Sequence, residues 1–124
     1  MFFWGAKKKR IKETYLEKCY ERQVYLFIDD YKDIRDNHSV PHPEIETHAE
    51  IVRRAIEDPA QVNQDKESAR KLCYYATFDD SDPTYAGLYM KVVLVINPDD
   101  TMYIATVMGR NNILQQGETK IWPI

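Results

Sequence analysis

Cysteine is scarce in this chain. It occurs twice in 124 residues, as Cys19 and Cys73, and neither lies in a CxxC spacing, which excludes a disulfide framework and the paired thiols of a zinc or redox site. Reduced thiols in a cytoplasmic protein are the expectation. No apolar run approaches the roughly 20 residues of a membrane-crossing helix. In MFFWGAKKKR the apolar residues precede the basic ones, the reverse of a secretory leader, and no small-residue cleavage site follows. No membrane partner is therefore expected. There is no GxSxG nucleophile elbow. A large excess of charge of either sign is missing as well: the net charge is −3, which supplies no global attraction to nucleic acid.

What the chain has is enough for one core. Its composition is 44% hydrophobic and 30% charged, and a chain of this size can bury a core without metal or disulfide support, so residues 1–124 are read as a single domain. The basic block Lys7, Lys8, Lys9, Arg10 and Lys12 has two readings: a phosphate-binding arm over residues 1–10 or a solvated tail. From Pro43 the residues Ile45, Ala49, Val52 and Ile56 recur at helical spacing, and Pro43 and Glu44 suit a helix N-terminus; a helix to about Glu57 is predicted, ended by Asp58-Pro59 and followed by a short turn through Val62. His42 stands at its start and His48 on a flank of its apolar stripe. Asn63 to Ser68 reads as polar connector. Further on the period becomes two: Leu72–Phe78, Gly87–Ile96 and Thr101–Met108 predict an antiparallel meander, with Gln23–Ile28 as another strand. Lys7–Glu21 has Ile11, Tyr15 and Cys19 at helical spacing and is read as a helix.

Symmetric closure of the NPDD turn pairs residues whose numbers sum to 197, placing Lys91 opposite Thr106. Met90, Val92, Leu94 and Ile96 with Thr101, Tyr103, Ala105 and Val107 make the more uniformly apolar face, predicted to pack on the helix.

HPEI, IVRRAIEDPAQV, CYYA, YAGLYMKVVLVI, YIATV and GETKIW occur, over about Tyr31–Trp122, in an order that resembles small bacterial and phage proteins of the barnase, EndoU, colicin and RelE-like nuclease fold. The resemblance implies an α+β domain, with N-terminal helices packed on a four-stranded antiparallel sheet. It also implies metal-independent ribonuclease chemistry, RNA as substrate, no cofactor, and a toxin-like role with a cognate inhibitor protein as a possible partner. The motif match assigns His42, Lys91 and Thr106 to the site. Three positions depart from the family pattern: the spacing of His38, Val107-Met108 where an Ala-Tyr pair is common, and Gln115 where a lysine is usual before Gly117.

Metal-free RNA cleavage needs a base for the 2′-hydroxyl, a cation for phosphate charge and an acid for the leaving oxygen. His42 fits the proton transfer, assisted by Tyr75 or His38, Lys91 fits the phosphate contact, and Thr106 a hydrogen bond to it; Arg70 and Arg110 add charge from strand ends. Each residue has a plainer reading beside this one. His42 can cap a helix, Lys91 can snorkel from a strand end, and Thr106 is an ordinary strand residue. A zinc site from His38, His42, His48 and Glu44 fails on spacing: four and six residues do not match HExxH. A nucleic-acid- or protein-binding module without catalysis is the alternative function.

Overall fold

The computed structural model describes residues 9–37, 39–78, 82–113 and 117–123. Seven strands form one sheet: β1 (Ile11–Leu16), β2 (Gln23–Phe27), β3 (Gln61–Gln64), β4 (Lys71–Thr77), β5 (Tyr89–Ile96), β6 (Met102–Arg110) and β7 (Thr119–Trp122). Their spatial order is β1-β2-β6-β5-β4-β3-β7. All pairs are antiparallel except β2 with β6, which is parallel. Between β2 and β3 the chain forms α1 (Ile28–Lys32), a π-helical turn (Asp33–Asn37), α2 (Glu44–Thr47) and α3 (Ala49–Glu57).

This overturns the expected four-stranded antiparallel sheet under N-terminal helices: the sheet is seven-stranded and mixed, and a hairpin of strands precedes the helices. The helix expected over Lys7–Glu21 is β1 where it is described. Its helical spacing was misleading: Tyr15 is buried while Ile11 is 48% exposed, because a register shift between Ile11 and Glu13 in the pairing with β2 turns the two to opposite faces. Gln61–Gln64, expected as turn and connector, is a strand, and the predicted helix is interrupted at His48, whose φ of −127° and ψ of 43° separate α2 from α3. The apolar stripe survives this break except at Ala49, which is exposed. Ile45, Val52 and Ile56, joined by Ala55, are buried against one face of the sheet, among Tyr74, Met90, Val92, Leu94 and Ile104.

The register also differs from the symmetric one. Asn97 N–H donates to the Thr101 carbonyl at 2.7 Å around a turn in which Asp100 takes φ 69°, a left-handed geometry that shifts the pairing by one residue. A bulge between the pairs Val93–Thr106 and Leu94–Ile104 then leaves Ala105 without a partner. Side-chain parity therefore switches within β6. Met102 and Ile104 face the core before the bulge, and Val107 does so after it, whereas Tyr103, expected on the packed face, points the other way.

The outer edge of β1 is closed by α3. Glu17 N–H bonds to the Arg22 carbonyl, so by antiparallel alternation the backbone groups of Thr14 and Leu16 point outward. Arg53 donates to the Thr14 carbonyl at 3.4 Å, and Leu16 N–H donates to the Glu57 carboxylate at 3.1 Å. Two helical side chains thus occupy the groups through which an edge strand recruits another chain.

Candidate functional site

Lys91 lies between Met90 and Val92, both fully buried against the helices, so alternation turns it to the opposite, helix-free face. The ladder puts Gln61, Tyr75, Lys91 and Met108 in one transverse row on that open face. The connection from β6 to β7 passes over this row: the Ile113 carbonyl accepts from Asn63 Nδ2 at 3.2 Å, and Glu118 arrives just before β7. Its carboxylate accepts from Lys91 Nζ at 2.7 Å, Tyr75 Oη at 2.6 Å and Asn63 Nδ2 at 3.1 Å. Lys91 and Glu118 side chains are 12% and 5% exposed, so this is a buried ion pair whose oxygens are further satisfied by neutral donors. Such a pair holds a connection in place more than it adds net stability.

The electrostatics follow from that arrangement. Burial works to raise the Glu118 carboxyl, but the Lys91, Tyr75 and Asn63 donors outweigh it and hold the group below the usual carboxylate range. Burial, and then Glu118, push the Tyr75 phenol upward, leaving Tyr75 a donor rather than a proton acceptor at neutral pH. Burial likewise pushes the Cys73 thiol up to about 12.

His42 approaches from a different direction. β2 pairs with β6 at Val24–Met102 and Tyr25–Tyr103, so among the described residues the second half of β6 has no strand on that side. Glu44, buried to 5% exposure, accepts there from Gly109 N–H at 3.1 Å. His42 Nδ1 stands 3.5 Å from the same carboxylate, and His42 N–H is tied to the Ile34 carbonyl at 2.8 Å. The histidine and Lys91 therefore flank one segment, Met108-Gly109, the first from its free edge and the second from its paired strand.

The expected contact between Lys91 and Thr106 is not made, because the turn and bulge place Met108 opposite Lys91 and Val93 opposite Thr106. Thr106 still shares the open face, one pair further along, and its hydroxyl lies 3.5 Å from the Val107 carbonyl. Arg110 ends β6 near this group, with Nη1 3.9 Å from the Met108 sulfur and its charge acting on Tyr75. Arg70 is elsewhere: it donates twice to the Ile96 carbonyl, at 2.9 and 2.7 Å, fastening the far end of β5. His38 and Gln115 lie outside the described residues. His48 is held for a structural purpose, its ring nitrogens 2.8 Å from Thr47 Oγ1 and 3.0 Å from Asp82 Oδ2, and its ring edge-on to the stacked pair Phe78 and Tyr85. Among the described residues no group of three or more His, Cys, Asp and Glu is placed to hold a metal ion.

Sequence reasoning missed Glu118, Asn63 and the contacts of Glu44 with Gly109 and His42. Glu118 lies in the GETKIW motif and Glu44 in HPEI, so both were in view; what was lacking was the crossing of the β6–β7 connection over the sheet. Comparison with protein-family models, curated proteins and solved structures finds no match for this chain. No described helix is long and apolar enough to cross a membrane.

Proposed function

We propose that the protein acts on RNA as a metal-independent ribonuclease whose site is the Met108-Gly109 end of β6. The observation that carries the reading is the approach of His42 with Glu44 to the free edge of the segment that Lys91, Tyr75 and Arg110 border on the open face. Glu44 stands 3.5 Å from Nδ1 of His42, and the imidazole takes the 2′-hydroxyl proton. The 2′-oxygen then attacks phosphorus, the bond from phosphorus to the 5′-oxygen breaks, and that oxygen takes a proton from water. Arg110 is the cation beside the phosphate. Lys91 contributes less than the motif match implies, since Glu118 already neutralises it.

That neutralisation favours a second reading, RNA binding without cleavage. The test is purified protein with total RNA in excess EDTA. A wild type that cleaves, with His42→Ala slower by at least about 100-fold and His48→Ala retaining activity, supports the ribonuclease. Salt-sensitive binding without cleavage selects the second reading, and cleavage abolished by EDTA returns the metal to consideration.

A further inference from the structure

The open face has a second region, beyond the β6–β7 connection. The ladder aligns Thr14, Tyr25, Tyr103, Val95 and Lys71 in one row across β1, β2, β6, β5 and β4. Val24 and Leu26, and Met102 and Ile104, are buried against the helices, so Tyr25 and Tyr103 between them face outward, both half-buried. Adjacent strands run about 4.8 Å apart, which sets the two phenols side by side. Phe27 extends the surface, its ring centroid 5.9 Å from that of Tyr25.

The charge on this face is one-sided. No Asp or Glu occupies a described strand position on it, although the charge of Asp30 in α1 acts on Lys9. Lys9 Nζ lies 5.2 Å from the Phe27 ring centroid, and Lys71 closes the other end of the row. Asp100, in the turn beyond Tyr103, is paired with Arg22 at 3.8 Å. A row of aromatic rings flanked by Lys9 and Lys71, with no acid at its described strand positions, fits a polyanion with exposed flat bases.

We infer that Tyr25 and Tyr103, with Phe27, form a stacking platform for the unpaired bases of single-stranded RNA. The inference rests on the RNA reading above and names its substrate class. Tyr103 and Met108 share β6, five positions apart, so at about 3.3 Å per residue a bound strand spans roughly 15 Å from platform to cleavage segment. Duplex RNA, whose bases are already stacked on one another, cannot use the platform.

The experiment uses the full chain carrying His42→Ala, so that binding is read without cutting, and fluorescence anisotropy with labelled single-stranded RNA and its duplex in EDTA. Single strands are expected to bind more tightly than duplex. Tyr25→Leu and Tyr103→Leu, which keep apolar bulk in the strand, each weaken single-strand binding about 5- to 150-fold, the cost of one lost stacking partner, while Tyr25→Phe and Tyr103→Phe retain it. In the otherwise wild-type chain, cleavage of a dinucleotide, too short to reach the platform, is unchanged by the leucine variants. Dinucleotide cleavage together with leucine variants that bind single strands normally overturns the platform and leaves the ribonuclease standing. Equal affinity for duplex and single strand also overturns it, and absence of both binding and cleavage overturns the platform and the RNA reading together.

Discussion

Glu118→Gln isolates the buried ion pair under the β6–β7 connection. Glutamine keeps a carbonyl oxygen for Tyr75 and Asn63 but removes the charge that faces Lys91 at 2.7 Å, leaving an ammonium that is 12% exposed without its counter-ion. Removing one member of a buried pair costs about 3–5 kcal/mol. For a chain of this length that is a fall in Tm of roughly 12–20 °C, taking about 4 °C per kcal/mol. The double variant Lys91→Met with Glu118→Gln leaves no buried charge and keeps an acceptor for both neutral donors, so most of the loss is recovered, to within about 1–2 kcal/mol of wild type. Urea unfolding of wild type, Glu118→Gln, Lys91→Met and the double variant measures the cycle. The pH dependence has a defined sign: Glu118 is held below the usual carboxylate range when folded, so its contribution is present above the unfolded value near 4.3 and is lost as pH falls through the folded one. Glu118→Gln lacks that part of the acid sensitivity. A loss under about 1 kcal/mol for the single variant, or a double variant no more stable than the single, would refute the buried-pair account.

Other variants test the remaining supports. Arg53→Ala with Glu57→Ala bares the outward groups of Thr14 and Leu16 and is expected to cost about 1–3 kcal/mol and to promote association through β1, seen as larger species on size-exclusion chromatography. Glu17 is fully buried and accepts from Cys19 N–H, Tyr20 N–H and Tyr74 Oη; Glu17→Ala strands these donors and is expected to cost at least about 2 kcal/mol in a denaturant melt. Burial pushes the thiols of Cys19 and Cys73 up to about 11 and about 12, so both should resist alkylation in the native protein at neutral pH and react fully once unfolded. Gly117 sits at φ 88°, where an added Cβ meets the Lys66 side chain; Gly117→Ala should lower stability by at least about 1 kcal/mol.

The parts of the fold legible in the sequence were those set by local pattern. The strands of the meander, the strand at Gln23–Phe27, and the buried stripe Ile45, Val52 and Ile56 all follow from alternation or helical spacing within a short window. Two features escaped because they depend on distant partners. β1 is a strand because β2 pairs with it, despite helical spacing in its apolar residues, and β3 is a strand because β4 and β7 flank it although its sequence, QVNQ, is polar. The candidate site was legible to the same extent. Lys91 was recognisable as a cation on an otherwise apolar strand, while its partner Glu118 lies across a connection whose path no local pattern reveals, and the left-handed turn at Asp100 together with the bulge at Ala105 moved Thr106 out of reach.

The parallel contact between β2 and β6 bears on the order in which the chain assembles. β4, β5 and β6 meet through successive connections, and β1 and β2 form their own hairpin, but the strands of the two pieces pair only at Val24–Met102 and Tyr25–Tyr103, residues from distant parts of the chain. Closing so long a loop is slow compared with closing a turn. The meander is therefore expected to form first and the hairpin to dock late, so that the amide protons of Val24 and Tyr25 exchange faster in native-state hydrogen exchange than those of Val92 and Leu94. Until docking, Met102 and Tyr103 present an uncovered strand edge. At high concentration that edge can accept the β1–β2 hairpin of a second copy, which makes hairpin exchange the characteristic misassembly of this sheet.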